Sequence, residues 1–408
     1  MSDAAHPRLF GDEFTDHPDD VYAQLRAAGP LAWAEIAEGV RALVVTDHAA
    51  ARELLRDPLF SRDPALWSAV AERTVPRELA RMVVRGLQHT DGAAHERLRR
   101  ALDDCLGHID LHEVRRRVRT QAHDLIAGFA ARGQADLLAE YAEPLVARTL
   151  ADLIGCPPEQ AGRLERAVMA LGGADPAAAQ AWEDLAELAA DVVAAKRRRP
   201  GRDLASMLLA HPAALDDDES VQQLLSVALF AAVPTAAWIT FTLHTLLTTP
   251  AYASLLVGGS VTIRRAMNET LSTGGRCPVA HSAAHYPRQD THLRGVLVPA
   301  GTPVLVSYAA AGQDPNRPGP GGPHDRSHLA WSAGAHSCPA RGLAMSLAEA
   351  AVESAVDTLW DLTTLTPHIA GKSGFANQCP VHLGVLFSSR GQEVESPHLT
   401  PEEYTGAR

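Results

Sequence analysis

The sequence has few of the features that mark secreted, disulfide-stabilised or nucleic-acid-binding proteins. It contains five cysteines among 408 residues. The odd number and scattered positions, without a Cys-x-x-Cys pair, favour reduced thiols. The first residues, MSDAAHPRLF, lack the apolar stretch of a signal peptide. The formal net charge is -12 and no long basic block stands out, so we expect a cytoplasmic protein without a nucleic-acid partner.

One long segment lacks charge altogether. Residues 221–249 contain no Asp, Glu, Lys or Arg, and by length alone they are sufficient to span a bilayer. The segment also contains Gln222, Gln223, His244 and a central proline, and no positive cluster flanks it. These features disfavour a membrane span. The sequence therefore predicts a helix buried inside a large protein, and no membrane partner.

Helical periodicity dominates the rest of the chain. Apolar residues recur at three- and four-residue spacing, whereas strand-like runs such as ALVVT at 42–46 and VHLGVLF at 381–387 are short. The run at 295–308 predicts a β-hairpin that turns at the Pro-Ala-Gly of 299–301. No linker or repeat interrupts the pattern. We therefore predict one mainly α domain over residues 1–408, with small β-sheets and a long central helix.

The segment WSAGAHSCPARG at 331–342 places one cysteine between a glycine turn and a helical pattern. Pro339 is predicted to occupy the first helical position, which puts Cys338 at a helix N-terminus, where the helix dipole favours a thiolate. An isolated cysteine is more often a small buried apolar residue. Further residues of the segment favour a shaped pocket instead: Trp331, Gly334, His336 and Arg341.

This segment resembles the heme-binding signature of the cytochrome P450 family, Phe-Gly-x-Gly-x-His-x-Cys-x-Gly. Trp331 stands for the phenylalanine, and Ser332 and Ala340 replace two glycines. Family members have a P450 fold and bind heme b (iron protoporphyrin IX) through a cysteine thiolate. The resemblance implies that the following residues bind the cofactor: Trp331, Gly334, His336 and Cys338, the last as the axial iron ligand.

Other segments resemble the family in the same order along the chain. Residues 90–102, TDGAAHERLRRAL, are similar to the helix that supplies a His-x-x-x-Arg clamp for the heme propionates, which maps onto His95 and Arg99. This spacing places both on one helix face, although it is also typical of a surface salt-bridge face. Counting back from the proline at 299 places His285 where the family has a propionate-binding arginine, with Arg288 as a nearby substitute.

Two departures from the family concern residues that its members usually share. In RRAMNETLSTGG at 264–275, Glu269 matches the glutamate of the Glu-x-x-Arg motif, but Ser272 replaces the arginine. In the family this glutamate is buried, and a buried carboxylate without a partner is costly or takes up a proton. We therefore expect a substitute cation. The candidates are Arg265, Arg276, Arg317 and Arg326.

The second departure lies in the uncharged helix. The family's Ala-Gly-x-Asp/Glu-Thr stretch aligns with residues 231–235, where Thr235 is present and Pro234 replaces the acid. In the family the acid and the alcohol deliver protons during oxygen activation, so Thr235 and Pro234 are the candidate catalytic positions. An interior proline also frees a carbonyl group that can bind water. The alternative is an ordinary helix kink.

The resemblance implies an oxidoreductase, a heme-thiolate monooxygenase that acts on a small or medium apolar metabolite with dioxygen and electrons from ferredoxin and ferredoxin reductase. Arg97, Arg100 and Arg341 are the expected docking patch for an acidic ferredoxin. The basic runs at 115–119 and 196–199 are expected to be solvated helix faces. The two departures leave two alternatives: a peroxide-using enzyme, or a weakly active heme-binding accessory protein that docks a partner enzyme.

Overall fold

The computed structural model of the chain describes residues 6–83, 86–171, 176–253, 260–272, 277–318, 327–369, 371–372 and 377–389. Its helices are α1 Gly11–Asp16, α2 Pro18–Ala28, α3 His48–Leu54, α4 Ser68–Ala71, α5 Gly92–Gly107, α6 Leu111–Phe129, α7 Glu143–Ile154, α8 Pro158–Leu171, α9 Pro176–Arg198, α10 Leu204–Ala210, α11 Asp217–Thr248, α12 Pro250–Ala253, α13 Ser260–Ser272, α14 Tyr308–Gly312 and α15 Arg341–Thr358. The strands are β1 Leu31–Ala37, β2 Val40–Val45, β3 Phe60–Ser61, β4 Gln134–Asp136, β5 Tyr286–Pro287, β6 Thr291–Leu293, β7 Val296–Val298, β8 Val304–Val306, β9 Leu359–Thr364, β10 Gly371–Lys372, β11 Cys379–Pro380 and β12 Gly384–Ser389. The predicted mainly α architecture with small sheets is confirmed.

The strands form small sheets at the margin of the helical core. Antiparallel β1 and β2 are extended by β8, which runs parallel to β2, and a second sheet has the order β4-β12-β9. The predicted hairpin at 295–308 is wrong, because β7 pairs with β6 and not with β8. The turn lies earlier, at Arg294 and Gly295. Their φ angles of +50° and +79° are the left-handed values that a tight two-residue hairpin turn requires.

Helix α11 crosses the helical core. It contains 32 residues, so it is about 48 Å long. Asp216 and Glu219 form a capping box at its start, and it packs against α7, α9, α13 and α15. By length and composition alone the helix is sufficient to span a membrane, but 61% of its most apolar window is buried inside the protein. The packing agrees with the predicted interior helix.

A charge network ties α6, α13 and α15 together. Glu349 on α15 is 4% exposed and binds both Arg115 of α6, at 3.0 Å, and Arg264 of α13. Glu353, one turn later, binds Arg115 at 2.8 Å and Arg119 at 2.9 Å. The prediction that the run at 115–119 is a solvated face is therefore wrong for Arg115, because a facing helix supplies carboxylates that the run itself does not reveal, whereas Arg119 is exposed as predicted.

The second basic run is also partly engaged in tertiary contacts. Lys196 binds the buried Asp203 at 2.7 Å, and Arg197 binds Asp217 at 2.7 Å. These pairs connect the end of α9 with the starts of α10 and α11. The prediction of a solvated face is therefore wrong for Lys196.

Candidate active site

The loop that precedes α15 carries the candidate iron ligand. Because α15 begins at Arg341, with Ala340 as its N-cap, Pro339 lies in a turn and does not occupy the first helical position as predicted. The loop is closed by its own backbone: the Cys338 N–H donates to the Trp331 carbonyl at 2.9 Å. Cys338 is thus held by a turn that leads into the helix.

Two backbone positions of this loop are in the left-handed region. Gly334 has a φ of +71°, and a Cβ atom there would overlap the carbonyl oxygen of Leu55 and lie 3.2 Å from the carbonyl carbon. Ser332 has a φ of +59°, a conformation that favours the glycine found in the family signature. Ala340 has a φ of −99°, which any residue adopts. The structure thus explains why Gly334 is a glycine and why Ala340 need not be one.

The Cys338 thiol is half-buried, and burial raises its pKa despite the opposing effects of the Ala340 backbone, Arg99 and Arg341. Desolvation therefore opposes the predicted preference for a thiolate, whereas the backbone N–H and the two arginines favour it. A metal ion removes the proton from a cysteine ligand when it binds. The thiol is consequently suited to a metal and is poorly suited to act as a free nucleophile.

Helix α5 brings His95 and Arg99 to the Cys338 loop. Arg99 Nη1 donates to the carbonyl oxygens of Ala335 at 2.9 Å and Ser337 at 2.7 Å, and its Nε donates to Asp103 at 2.8 Å. Arg99 therefore bridges the helix and the loop, in addition to any contact with a ligand.

His95 lies against His336 of the loop, with ring centroids 4.1 Å apart. His95 is 4% exposed, and within the described part of the chain its Nε2 atom has no hydrogen-bond partner. Burial, with His336 and Arg99 nearby, lowers the pKa of His95 to about 4. His336 Nε2 lies 3.6 Å from Asp91, and burial again lowers its pKa. At neutral pH both rings are therefore neutral and each supplies one N–H donor.

The other two expected propionate residues, His285 and Arg288, have different environments. His285 is buried, its backbone pairs with Val304, and burial lowers its pKa well below the usual range. It therefore supplies no charge at neutral pH. Arg288 is half-exposed and donates to Asp91 at 3.0 Å. His285 therefore lies near His336 of the loop, whereas Arg288 is paired with Asp91.

Arg62 is a further residue of this region, which the sequence did not reveal. It follows β3 directly, is 4% exposed, and its backbone N–H donates to Asp91 at 3.0 Å. Its charge interacts with His285 and His336 and lowers the pKa of both. A single arginine after a short strand carries no pattern that distinguishes it from a surface residue, so the sequence offered no signal.

The donors of this region fit heme b. Buried N–H groups of His95, His285 and Arg62 include atoms without acceptors among the described residues, as expected where anionic propionates bind. No three His, Cys, Asp or Glu side chains in the described ranges converge as a protein-only metal site. A single cysteine thiolate therefore suits an iron whose remaining ligands come largely from a porphyrin.

Two tryptophans connect the loop with α11. Trp331 contacts Trp238 of α11 edge-on, with ring centroids 5.4 Å apart and an interplanar angle of 74°. The Arg341 guanidinium lies 6.0 Å from the Trp331 ring centroid, within cation–π range. Trp331 is thus fixed between the start of α15 and the middle of α11.

The middle of α11 contains the departures from the family. Pro234 lies inside the helix without ending it, and its missing N–H leaves the Phe230 carbonyl without its helical donor. Thr235 is buried, and no hydrogen bond of its hydroxyl is found within the described ranges. Phe230 is 52% exposed, although it lies in the apolar middle of the helix.

The Glu-x-x-Ser segment differs from the expectation. Glu269 is exposed, so the predicted cost of a buried carboxylate does not arise. The buried Tyr252 donates its hydroxyl to Glu269, and Arg265 lies 5.7 Å from the Tyr252 ring centroid. Arg317 is buried. The remaining candidate substitutes lie outside the described residues: Arg276 and Arg326.

The expected ferredoxin patch is smaller than the sequence indicated. Arg97 binds both carboxylate oxygens of Glu219 and the Ala213 carbonyl, so its charge is compensated by a neighbouring helix. Arg100 and Arg341 are exposed. Arg97 therefore links α5 to α11 through its ion pair with Glu219.

Curated relatives and solved structures resemble the chain over most of its length, although no family model matches it. The chain is 30% identical over 348 residues to the mycinamicin IV hydroxylase/epoxidase of Micromonospora griseorubida, covering 81% of this chain and 85% of that protein. It is 30% identical over 370 residues to the cytochrome P450 monooxygenase PikC of Streptomyces venezuelae, covering 86% of each. The structure of CYP154C4 from Streptomyces sp. ATCC 11861 has a TM-score of 0.85 at 25% identity, covering 95% of this chain and 99% of that one.

Proposed function

Because the chain belongs to the cytochrome P450 family, we propose that it is a heme-thiolate monooxygenase that oxidises an apolar metabolite with dioxygen and electrons from a ferredoxin. The chain has the P450 fold, is an oxidoreductase and uses heme b. The observation that carries the proposal is the loop before α15, in which Gly334 passes against Leu55 and positions Cys338 beside His95, Arg99 and His336.

Each residue of the site has a separate task. Bound heme supplies the redox chemistry that transfers one oxygen atom of dioxygen to the substrate. The Cys338 thiolate would ligate the iron of bound heme, and the donors of His95, Arg99 and His336 would hold its propionates. The Thr235 hydroxyl moves protons towards the oxygen site, and the Phe230 carbonyl that Pro234 leaves without a donor holds a water molecule in the same path.

An apolar substrate is favoured by one face of α11. Val227, Phe230, Ala231 and Pro234 follow each other at i, i+3, i+4 and i+7, and all are at least partly exposed. This spacing places them on one helix face. Covering an exposed apolar surface with an apolar ligand is favourable, because it removes apolar area from water.

Ferredoxin is the electron donor in this proposal, and ferredoxin reductase supplies it. Arg100 and Arg341 are exposed beside the Cys338 loop and present positive charge on a chain whose net charge is -12. Such a local patch steers an acidic partner. The proposal also places the protein in the cytoplasm, with residues 1–408 as one domain.

A peroxide-using enzyme is the second candidate, and Pro234 favours it. With no carboxylate at this position, the oxygen-driven reaction depends on Thr235 and bound water for its protons. Hydrogen peroxide already carries these protons. Replacing ferredoxin and dioxygen by peroxide therefore bypasses proton delivery, the step for which this chain lacks the family's carboxylate.

The test combines a spectrum with turnover. The reduced protein with carbon monoxide is expected to give the red-shifted band of thiolate ligation, and Cys338→Ala is expected to lose it. Cys156→Ala is the matched control, because Cys156 is also half-buried and also precedes a proline.

Product formed per electron is then compared with product formed per peroxide on one apolar substrate. Tight coupling with ferredoxin supports the monooxygenase, whereas efficient turnover with peroxide alone supports the second candidate. A thiolate band in Cys338→Ala, or a stable complex with a partner enzyme without any turnover, would contradict both.

A further inference from the structure

Arg62 is a buried guanidinium without a carboxylate partner. It is 4% exposed, and its Nη1 donates to the Ala283 carbonyl at 2.5 Å. Among the described residues no acceptor lies within hydrogen-bond distance of its Nε, and no carboxylate forms a salt bridge with it. A buried charge is normally paired, because an unpaired one loses its hydration without compensation.

The nearest carboxylate meets this need only in part, because Asp91 attracts the Arg62 charge but forms no salt bridge with the guanidinium among the described residues. Asp91 receives the backbone N–H of Arg62, the Ser61 hydroxyl and the Arg288 guanidinium, and it lies 3.6 Å from His336. Asp91 therefore orients the backbone at Arg62, while its charge is used by other side chains. An arginine remains protonated even when buried, so a counter-charge must come from elsewhere.

The position of Arg62 indicates which anion this is. Its charge interacts with both His285 and His336, and the Tyr308 hydroxyl lies beside it. Counted back from the proline at 299, His285 occupies the position where the family has a propionate-binding arginine. The His285 ring is neutral at neutral pH, because burial lowers its pKa. Arg62, directly after β3, thus carries the positive charge that position 285 lacks.

We infer that Arg62 supplies the buried positive charge that binds one heme propionate, in place of the arginine missing at position 285. The inference rests on heme binding by the proposed site. It assigns Arg62 the charged contact, His285 a neutral N–H donor, and Asp91 the role of positioning residue. Arg288, half-exposed and paired with Asp91, then supports the positioning residue and is not the main propionate ligand.

The experiment measures heme release from the holoprotein to an excess of a heme-scavenging apoprotein. It compares iron protoporphyrin IX with its dimethyl ester, in which both propionates are neutral, in the unmodified protein and in Arg62→Met. Compared with the unmodified protein, Arg62→Met is expected to release the native heme about 10- to 100-fold faster, the range typical of a lost hydrogen bond to a charged group.

The ester supplies the readout that a purely structural role would not change. Esterification is expected to accelerate release strongly in the unmodified protein and about tenfold less in Arg62→Met, because the charged contact is already absent there. Arg62→Lys, which retains the charge, is expected to restore part of the difference. Arg52→Met, an exposed arginine of α3, is the control and should release both porphyrins like the unmodified protein.

Denaturation of the apoprotein completes the test. The Arg62→Met apoprotein is expected to be at least as stable as the unmodified one, because it no longer buries an unpaired charge. An equal effect of esterification in both proteins would overturn the inference about Arg62 alone. If the unmodified protein took up no heme, the proposed function would fall as well.

Discussion

The loop that carries Cys338 and the middle of α11 both border the candidate active site, but their backbones are constrained to different degrees. In the loop, Gly334 approaches the Leu55 carbonyl so closely that a Cβ would overlap it, and Arg99 binds two loop carbonyls. In α11, Pro234 removes one helical hydrogen bond, and the helix nevertheless continues to Thr248.

The difference indicates where the family signature can change without loss of the fold. A position with φ near +70° beside a foreign carbonyl accepts glycine alone, whereas a long helix held by its neighbours tolerates the loss of one bond. Ala340 follows the same rule, since its φ of −99° imposes no glycine. The acid that Pro234 replaces in α11 has a chemical role in the family, the delivery of protons. The backbone geometry of the helix does not require it.

Gly334→Ala tests the constrained loop and is expected to have the largest effect. Backbone strain and overpacking each cost about 1–3 kcal/mol, so the free energy of unfolding should fall by about 2–6 kcal/mol, with loss of bound heme. Chemical denaturation and heme content measure this. Gly107→Ala, at the end of α5 with no atom within 4 Å of the added Cβ, is the control and should be neutral or slightly stabilising. Equal effects would contradict the comparison.

Pro234→Ala tests the tolerant helix. It restores the N–H that bonds the Phe230 carbonyl, so the free energy of unfolding should rise by up to about 3 kcal/mol. Thermal and chemical denaturation measure the change. Pro250→Ala is the control, because a proline at the first position of α12 disturbs no helical bond and its removal should give no such gain. A loss of stability in Pro234→Ala would mean that α11 depends on the proline.

Arg99→Lys should loosen the loop without breaking it. A lysine does not reproduce the planar donor group that reaches both Ala335 and Ser337, and the expected loss is about 1.5–3 kcal/mol, with faster heme release. Arg100→Lys, the exposed neighbour on α5, should change neither quantity. If both substitutions behaved alike, the two loop carbonyls would not depend on Arg99.

Thr235→Val is expected to have the smallest effect on stability, below about 1 kcal/mol, because no hydrogen bond of the Thr235 hydroxyl is found within the described residues. Its effect should instead concern chemistry: product per electron falls, while product per peroxide changes little. Thr240→Val, whose hydroxyl donates to the Ala236 carbonyl, is the control for a purely structural threonine of α11. Unchanged coupling in Thr235→Val would remove Thr235 from the proton path.

The sequence predicted most of the architecture because helical periodicity and the uncharged segment report local burial. It failed where two distant segments decide the outcome. β8 pairs with β2 and not with its sequence neighbour β7, and the choice depends on a parallel contact over more than 250 residues of chain. Arg115 meets Glu349 only because α15 packs on α6. No local pattern contains either contact.

The candidate site divides in the same way. The signature around Cys338 is contiguous, so the sequence sufficed to select Cys338, Gly334 and His336 as candidates. The sequence did not single out Arg62 and Tyr252, because their partners Asp91 and Glu269 lie on other elements, 29 and 17 residues later. The exposure of Glu269 was equally hidden, since a helical pattern does not state which face a tertiary neighbour covers.

The edge-on pair of Trp238 and Trp331 joins the two compared regions, because one ring belongs to α11 and the other to the Cys338 loop. With their centroids 5.4 Å apart in fixed packing, the two indoles contribute to the near-ultraviolet circular dichroism, a signal that disappears when tertiary packing is lost. The sign and size of such a signal depend on the angle between the rings. The near-ultraviolet spectrum of the protein therefore reports the orientation of the loop relative to the helix. It can be recorded without a label and before any substrate is known.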